Sequence, residues 1–294
     1  MPPAEDTYDG LTFLSHMLAG AVAGVAEHVA MYPVDTLKTR MQALGHPGQR
    51  LRGSSMSRAM VAIVQREGIR GLYGGVWAVA WGAGPAHALY FAAYEASKEA
   101  LGGNTGKEHH PFAVAAAGAS AAVVNDTCMV PVDVVKQRLQ VARSPYKGIR
   151  DCVGRMLREE GLAAFFKSFK TTLFMNVPFT ACYFATYESA KKALRRSEDE
   201  EGLLVELVAG GIAGGGAAAL TNPLDVVKTR LQLEGVNSAT RYESTSFMHV
   251  AKKIVAEEGS RGLWGGVRAR MLFHAPAAAI SWGVYESMKK VLAA

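Results

Sequence analysis

MYPVDTLKTRMQ, residues 31–42, is the stretch that decides the fold. It closes a run that has no Lys or Arg from residue 12, and it brings a proline, an aspartate, a lysine and an arginine within ten residues. A proline kinks or ends a helix, and a carboxylate three residues before a lysine can form an ion pair on a helix surface. The stretch therefore marks the end of an apolar helix, and the reason for its charges must come from the rest of the chain.

The pattern Pro-x-Asp-x-x-Lys-x-Arg-x-Gln occurs three times, starting at Pro33, Pro131 and Pro223, with spacings of 98 and 92 residues. A Glu-Gly pair follows each copy, and a Tyr-Glu-x-x-Lys motif closes each unit. The Glu-Gly pairs lie at 67–68, 160–161 and 258–259, and the closing motifs begin at residues 94, 187 and 285. Three motifs in three matching registers indicate an internal repeat and a three-fold pseudo-symmetry.

Each repeat contains two long apolar stretches that have no Lys or Arg. These stretches are residues 12–37, 71–97, 109–135, 171–190, 202–227 and 271–288. Each approaches or exceeds the roughly 20 residues that a transmembrane helix needs. They are rich in Ala and Gly, and we expect small residues such as Gly20, Gly24, Gly118 and Gly214 to let helices approach closely. The alternative is an all-helical soluble globule, but six such stretches are difficult to bury without lipid.

Composition limits the classes of protein to which the chain can belong. Its 294 residues are 49% hydrophobic and 20% charged, and its net charge is +6. The three cysteines form no CxxC pair, which argues against a disulfide framework or a zinc knuckle. The acidic N-terminus predicts no secretory signal and no cleavable transit peptide, so that an organelle address would be internal. The chain has no phosphate loop or nucleophile motif of an enzyme, and its basic residues lie at helix ends rather than on a face for nucleic acid.

These motifs resemble the mitochondrial carrier family, whose signature is proline-x-acidic-x-x-basic on odd helices and aromatic-acidic-x-x-basic on even helices. The resemblance implies an all-α membrane protein of six transmembrane helices, a pseudo-three-fold barrel that crosses the mitochondrial inner membrane. The expected repeats are residues 1–107, 108–198 and 199–294. Short matrix helices are expected near residues 54–67, 146–159 and 246–258, with cardiolipin and other membrane lipid at their N-termini.

The resemblance also assigns the motif charges to two gates. At the matrix end, aspartates would pair with lysines of neighbouring helices, and glutamines would brace the pairs; the residues are Asp35, Lys38, Asp133, Lys136, Asp225, Lys228, Gln42, Gln140 and Gln232. At the cytoplasmic end a second ring would form from Tyr94, Glu95, Lys98, Tyr187, Glu188, Lys191, Tyr285, Glu286 and Lys289. Charges near membrane depth are costly when unpaired, so each ring favours a closed state. A cargo that stabilises the intermediate between the closed states would allow alternating access.

The middle of the spans indicates what is carried. Aligning the repeats on their motifs places a set of polar residues near the middle of the spans, where the family holds its substrate. The candidate contacts are His28, His87, Met175, Asn176, Asp126 and His274. No Lys or Arg occurs at these levels, although a carrier of anions needs fixed positive charge. Neutral imidazole with carboxylate suits a divalent transition metal.

Residues 82–91 and 175–179 further resemble the second and fourth helices of the family's iron carriers. This narrower resemblance implies that ferrous iron, or a related divalent metal, crosses into the matrix to supply haem and iron–sulfur cluster synthesis. Iron would be a substrate, and no resident cofactor is expected.

Two alternatives remain at this point. A carrier of an organic cation or zwitterion would share the missing basic residues and would use Asp126 and Tyr90 rather than the histidines. An inner-membrane scaffold that has kept the fold without transport would have degraded gate motifs, and here all the motifs are intact.

Overall fold

The computed structural model describes residues 13–43, 55–100, 111–142, 144–194, 203–235 and 241–293. This part of the chain is helical and contains no strand. Its helices are α1 (Phe13–Gln42), α2 (Met56–Glu67), α3 (Val76–Ala100), α4 (Pro111–Gln140), α5 (Ile149–Glu159), α6 (Phe169–Leu194), α7 (Leu203–Leu220), α8 (Asn222–Leu233), α9 (Phe247–Glu258) and α10 (Val267–Ala293). Short 3₁₀ turns at Ile69–Leu72, Leu162–Phe166 and Ser260–Trp264 precede the long helices α3, α6 and α10.

The order of helices repeats three times. Each repeat has a long first helix, which we call its odd helix (α1, α4, and α7 with α8), then a short helix (α2, α5 and α9), then a long last helix, which we call its even helix (α3, α6 and α10). The all-α class and the three short helices, α2, α5 and α9, are thus confirmed. Within the described ranges, no helix combines the length and the apolar composition required of a membrane-spanning segment.

The motif proline has a different place in the third repeat. Pro33 and Pro131 lie inside the continuous helices α1 and α4, whereas Pro223 lies in the first turn of α8. The chain breaks at Thr221, whose φ of −90° and ψ of 5° lie outside the helical range. The Thr221 hydroxyl donates a hydrogen bond of 2.7 Å to the carbonyl of Ala217, one turn back in α7. The third odd helix is therefore divided into α7 and α8. Pro223 lies in the first turn of α8, where a helix tolerates a proline without losing a hydrogen bond.

The short helices pack onto the odd helices through small apolar clusters. Ile63 of α2 packs near the fully buried Leu37 of α1, and Met156 of α5 packs with Val134 of α4. In the third repeat Ile254 of α9 belongs to the same cluster as Val227 of α8. An amphipathic helix buries one stripe in this way, and the packing fixes the ends of the odd helices that carry the motif charges.

Helix contacts close the bundle into a ring, since α1 packs on α3, α3 on α4, α4 on α6, α6 on α7, α7 on α10 and α10 on α1. Close approach occurs at Gly82, where an added Cβ would lie 2.5 Å from Val132, and at Gly214, where it would lie 2.7 Å from His274. The expected close approach was wrong for Gly20, Gly24 and Gly118, because a Cβ added at each of them would have no neighbouring atom within 4 Å. A pair of small residues shows that helices can approach, but the facing side chain decides whether they do.

Candidate functional site

Three ion pairs form a ring at the proline-motif ends of the odd helices. Each joins an aspartate to a lysine of a different repeat, as the resemblance implied. The Nζ–Oδ2 distances are 2.7 Å for Lys136–Asp35, 3.0 Å for Lys228–Asp133 and 2.8 Å for Lys38–Asp225. We call these six side chains the Asp–Lys ring. A buried pair is costly to break because each half then lacks a partner, so the ring holds the three odd helices together at this end.

Two glutamines brace the ring. Gln140 donates from Nε2 to Asp35 Oδ2 at 2.9 Å, and Gln42 donates to Asp225 Oδ2 at 2.8 Å. A threonine of the neighbouring helix donates to each glutamine carbonyl, Thr39 to Gln140 at 2.9 Å and Thr229 to Gln42 at 2.8 Å. The threonine therefore holds the amide with its NH₂ group turned toward the carboxylate.

The third glutamine does not brace the third pair. Gln232 is fully buried, and within the described part of the chain neither of its amide atoms has a hydrogen-bond partner. Gln137 occupies the motif position that holds Thr39 and Thr229 in the other repeats, and its own buried Oε1 also lacks a partner. The expected role of Gln232 is thus not found, because the threonine that would orient its amide is replaced.

A second set of contacts, which the sequence reasoning missed, joins each repeat to the next. The arginine two residues after each motif lysine holds the glutamate of the Glu-Gly pair with both guanidinium NH₂ groups; the pairs are Arg40–Glu67, Arg138–Glu160 and Arg230–Glu258. The Nε of each arginine donates to the main-chain carbonyl of a motif glutamine in the next repeat; the acceptors are Gln140, Gln232 and Gln42. Charge-assisted bidentate pairs are strong. The repetition of this arginine and of the glutamate, each three times, was the signal that could have predicted the pairs.

The glycine of each Glu-Gly pair has a backbone role. Gly68, Gly161 and Gly259 have φ values of 71°, 78° and 72°, a region that residues with a Cβ rarely adopt. The glycine lets the chain turn directly after the short helix, and the preceding glutamate then faces the arginine.

Two consecutive residues of α6 contact opposite charges. Asn176 Nδ2 donates to Asp126 Oδ2 of α4 at 2.6 Å. Met175, which is 9% exposed, lies with its sulfur 3.9 Å from Nη2 of Arg270 of α10. Two of the six candidate contacts, Asp126 and Asn176, therefore meet between α4 and α6, and a third, Met175, follows next to them on α6 and faces α10.

Arg270 corrects the expectation that no basic side chain reaches this level. It immediately precedes the stretch 271–288, which has no Lys or Arg, and its side chain is buried. Its Nη1 donates to the carbonyl of Ala218 at 3.0 Å, and its Nε lies 3.6 Å from Asp225 of the Asp–Lys ring. The guanidinium also lies 5.8 Å from the ring centroid of Phe179, a cation–π contact.

The two candidate histidines whose side chains are described, His28 and His274, lie at different helix contacts. His28 lines a small apolar pocket between α1 and α3 whose other residues are Val25, Val29, Val76, Val79, Ala80 and Ala83. His274 lies at the contact of α10 with α7, its ring centroid 5.7 Å from that of Phe179. The side chain of His87 lies outside the described residues. Among the side chains that are described, no group of three or more His, Cys, Asp or Glu could hold a metal ion.

The closing motifs of the even helices are described only in part, since the side chains of Glu95 and Glu286 lie outside the described set. Glu188 is exposed. Lys191 Nζ lies 3.7 Å from Glu206 at the start of α7, a carboxylate that the sequence reasoning did not include. Lys289 lies 5.8 Å from the ring of Tyr285. A ring of the predicted Glu–Lys pairs stays a prediction, as do the parts assigned to Tyr94, Lys98 and Tyr187.

Cys152 lies on one of the short helices. Cys152 is fully buried in the cluster under α5, and burial raises the pKa of its thiol to about 12. The thiol is therefore neutral near pH 7 and is a poor metal ligand or nucleophile.

Known proteins match this chain both in its three repeats and over nearly its whole length. The family model described as mitochondrial carrier protein matches residues 9–105, 107–198 and 199–294. The chain is 44% identical over 299 residues to a protein named mitoferrin from Dictyostelium discoideum, covering 97% of this chain and 96% of that one. It is 40% identical over 299 residues to mitoferrin-2 from Homo sapiens, covering 99% of this chain and 80% of that one.

Proposed function

Because this chain belongs to the mitochondrial carrier protein family, we propose that it transports ferrous iron, or a related divalent metal, into the mitochondrial matrix. The chain would cross the inner membrane several times, and its cargo would supply haem and iron–sulfur cluster synthesis. Iron is the substrate in this proposal and not a resident cofactor. The names of the two relatives, mitoferrin and mitoferrin-2, support the metal.

The observation that carries the proposal is the Asp126–Asn176 contact between α4 and α6, with Met175 next to Asn176 on α6. Asp126 offers a carboxylate, Asn176 an amide that already contacts it at 2.6 Å, and Met175 a neighbouring thioether. Ferrous iron accepts oxygen, nitrogen and sulfur ligands. A transporter must also release its cargo, so a site with few ligands suits transport better than a closed four-ligand site. We propose that His28 and His87 add imidazole nitrogens, and His274 a further one, in states that bring them toward this group.

The Asp–Lys ring supports a gated route. Its three ion pairs and two glutamine braces link α1, α4 and α8 at one end of the bundle. We propose that this end faces the matrix and that the motif residues of the even helices form the gate on the cytoplasmic side. Cargo binding would favour the exchange of one closed ring for the other. Cardiolipin at the N-termini of α2, α5 and α9 would stabilise the lipid-facing parts of the barrel.

One observation favours a second candidate, a carrier of a zwitterion. Asp126 and Arg270 present opposite charges to the adjacent residues Asn176 and Met175. An amino acid could place its ammonium near Asp126 and its carboxylate near Arg270. This candidate would not need the histidines.

Uptake by the full-length protein in liposomes tests the proposal. Ferrous iron kept reduced with ascorbate should enter vesicles that contain the protein and not empty vesicles. The Asp126→Asn variant, which keeps the size of the side chain, should lower the initial rate roughly 10-fold or more, the usual scale for changes at a metal site. Thr127→Ala is the matched control, because Thr127 is the exposed neighbour of Asp126.

The same vesicles separate the candidates. A His87→Ala variant should lose iron uptake if the metal is the cargo. Uptake of a zwitterionic amino acid without uptake of iron, or iron uptake that the Asp126 and His87 variants leave unchanged, would contradict the proposal.

A further inference from the structure

Arg270 contacts two parts of the molecule, the proposed cargo contacts and the Asp–Lys ring. On one side its Nη2 lies 3.9 Å from the sulfur of Met175, among the proposed cargo contacts. On the other side its Nε lies 3.6 Å from Oδ2 of Asp225 in the Asp–Lys ring. The carbonyl of Ala218 accepts from its Nη1 and holds it in this place. One buried guanidinium therefore contacts both the cargo level and the gate.

This residue breaks the three-fold pattern. It lies fifteen residues before the tyrosine of its closing motif, and the same positions of the other repeats hold Val79 and Thr172. Asp225 accordingly has two cationic neighbours, Lys38 at 2.8 Å and Arg270 at 3.6 Å, in addition to its hydrogen bond from Gln42. The positive charge of Arg270 is thus an addition to a ring whose aspartates and lysines already balance.

We propose that Arg270 is a positioning residue that couples cargo to the gate: a divalent cation near Met175 repels the guanidinium, which then withdraws from Asp225 and weakens the closed Asp–Lys ring. This inference rests on the proposed transport of a divalent metal. Two charges of the same sign a few ångströms apart in a poorly solvated site repel strongly. A ligand shifts an equilibrium only through its different interaction with the two states, and the repulsion of Arg270 supplies that difference.

The coupling has a kinetic signature. Without the guanidinium, a cation should bind the closed state more tightly, because the repulsion is gone. The bound cation should then fail to weaken the ring, so that the maximal rate falls. A KM and a maximal rate that fall together separate coupling from a loss of structure, which would lower the rate without tightening the cargo.

The test uses ferrous iron alone as the probe and the full-length protein in liposomes and in detergent. In Arg270→Gln we expect KM for ferrous iron to fall by roughly 10-fold and the maximal rate to fall as well. Ferrous iron should raise the melting temperature of Arg270→Gln more than that of wild-type protein, because the variant binds the cation more tightly. Arg270→Lys, which keeps the charge, should retain much of the wild-type KM, and Arg268→Gln, an exposed residue of the same helix, should behave as wild type.

A second variant keeps the test decisive if Arg270→Gln fails to fold. Met175→Leu keeps the volume and removes the sulfur, so the cation should no longer approach Arg270. We expect a higher KM and a smaller metal-induced rise in melting temperature than in wild-type protein. In the double variant the effect of Arg270→Gln on KM should vanish, as expected for contacting residues.

An unchanged or raised KM in Arg270→Gln, or a metal-induced rise in melting temperature that is as large in Met175→Leu as in wild-type protein, would overturn the coupling. Failure of the proposed function looks different. In that case wild-type protein and Arg268→Gln would both fail to move ferrous iron, whatever residue 270 is.

Discussion

The contact between α1 and α4 and the contact between α4 and α8 use the same motif, but different side chains hold them. In the first, Asp35 forms an ion pair with Lys136 at 2.7 Å and accepts a hydrogen bond from Gln140 at 2.9 Å, and Thr39 orients the glutamine. In the second, Asp133 forms an ion pair with Lys228 at 3.0 Å. The glutamine beside the second pair is buried without a hydrogen bond in the described structure.

The difference lies in one position of the motif. Threonine occupies it in repeats 1 and 3, as Thr39 and Thr229, and Gln137 occupies it in repeat 2. A buried polar atom without a partner costs more than a made hydrogen bond contributes. Three-fold symmetry of the signature residues therefore does not make the three contacts of the ring equally strong, and the α4–α8 contact should open first.

Removing an aspartate should give the largest effect. Asp35→Ala removes the carboxylate that both Lys136 and Gln140 contact, whereas Asp133→Ala removes the carboxylate that Lys228 contacts. Each change should lower the free energy of unfolding by about 3–5 kcal/mol, and the loss for Asp35→Ala should be greater by about 1 kcal/mol. Thermal unfolding of the purified variants in detergent measures the difference, and equal losses would remove the distinction between the two contacts.

Removing a glutamine should give a smaller effect with a clearer contrast. Gln140→Ala and Gln232→Ala delete the same atoms from fully buried positions, so the cavities that they leave are comparable. Gln140→Ala loses a hydrogen bond to a carboxylate and should cost about 1.5–3 kcal/mol more than Gln232→Ala. The same unfolding experiment reports it, and a loss for Gln232→Ala as large as that for Gln140→Ala would show that Gln232 has a partner after all.

Restoring the threonine should give the smallest effect and the opposite sign. Gln137→Thr should orient Gln232 toward Asp133, raise the free energy of unfolding by about 1 kcal/mol and slow transport, because the closed ring becomes harder to open. In this background Gln232→Ala should become more costly than it is alone. A melting temperature that does not rise, together with an unchanged cost of Gln232→Ala, would contradict the role given to residue 137.

The sequence predicted the ring because the information is repeated. The registers of Pro33, Pro131 and Pro223 identify equivalent helix ends, and the resemblance then assigns Lys136 to Asp35 and Lys228 to Asp133. The short helices were predicted from the family resemblance. Repetition also contained the Arg40–Glu67 type of pair, since both residues recur, although the sequence reasoning did not use it.

What the sequence did not reveal depends on single side chains without a repeat. The orientation of Gln232 depends on Gln137, a residue of another helix. Arg270 was missed because counting charges within a span says nothing of a long side chain that enters from the adjoining residue. His28 was placed at the cargo level by counting from Pro33, but the apolar residues of α1 and α3 surround it.

The central claim is that ferrous iron must pass the Asp–Lys ring, and a reversible lock on the ring tests it most directly. Cysteines at Thr39 and Gln140, whose side chains meet across α1 and α4, can be joined with a short reducible bifunctional thiol reagent. Cys128 and Cys182 are replaced by serine, and Cys152 stays because it is fully buried. Ferrous iron uptake into liposomes should stop in the cross-linked protein and return after reduction, while each single-cysteine variant should transport at the same rate before and after the same treatment. Uptake that continues at an unchanged rate through the cross-linked protein would contradict the account.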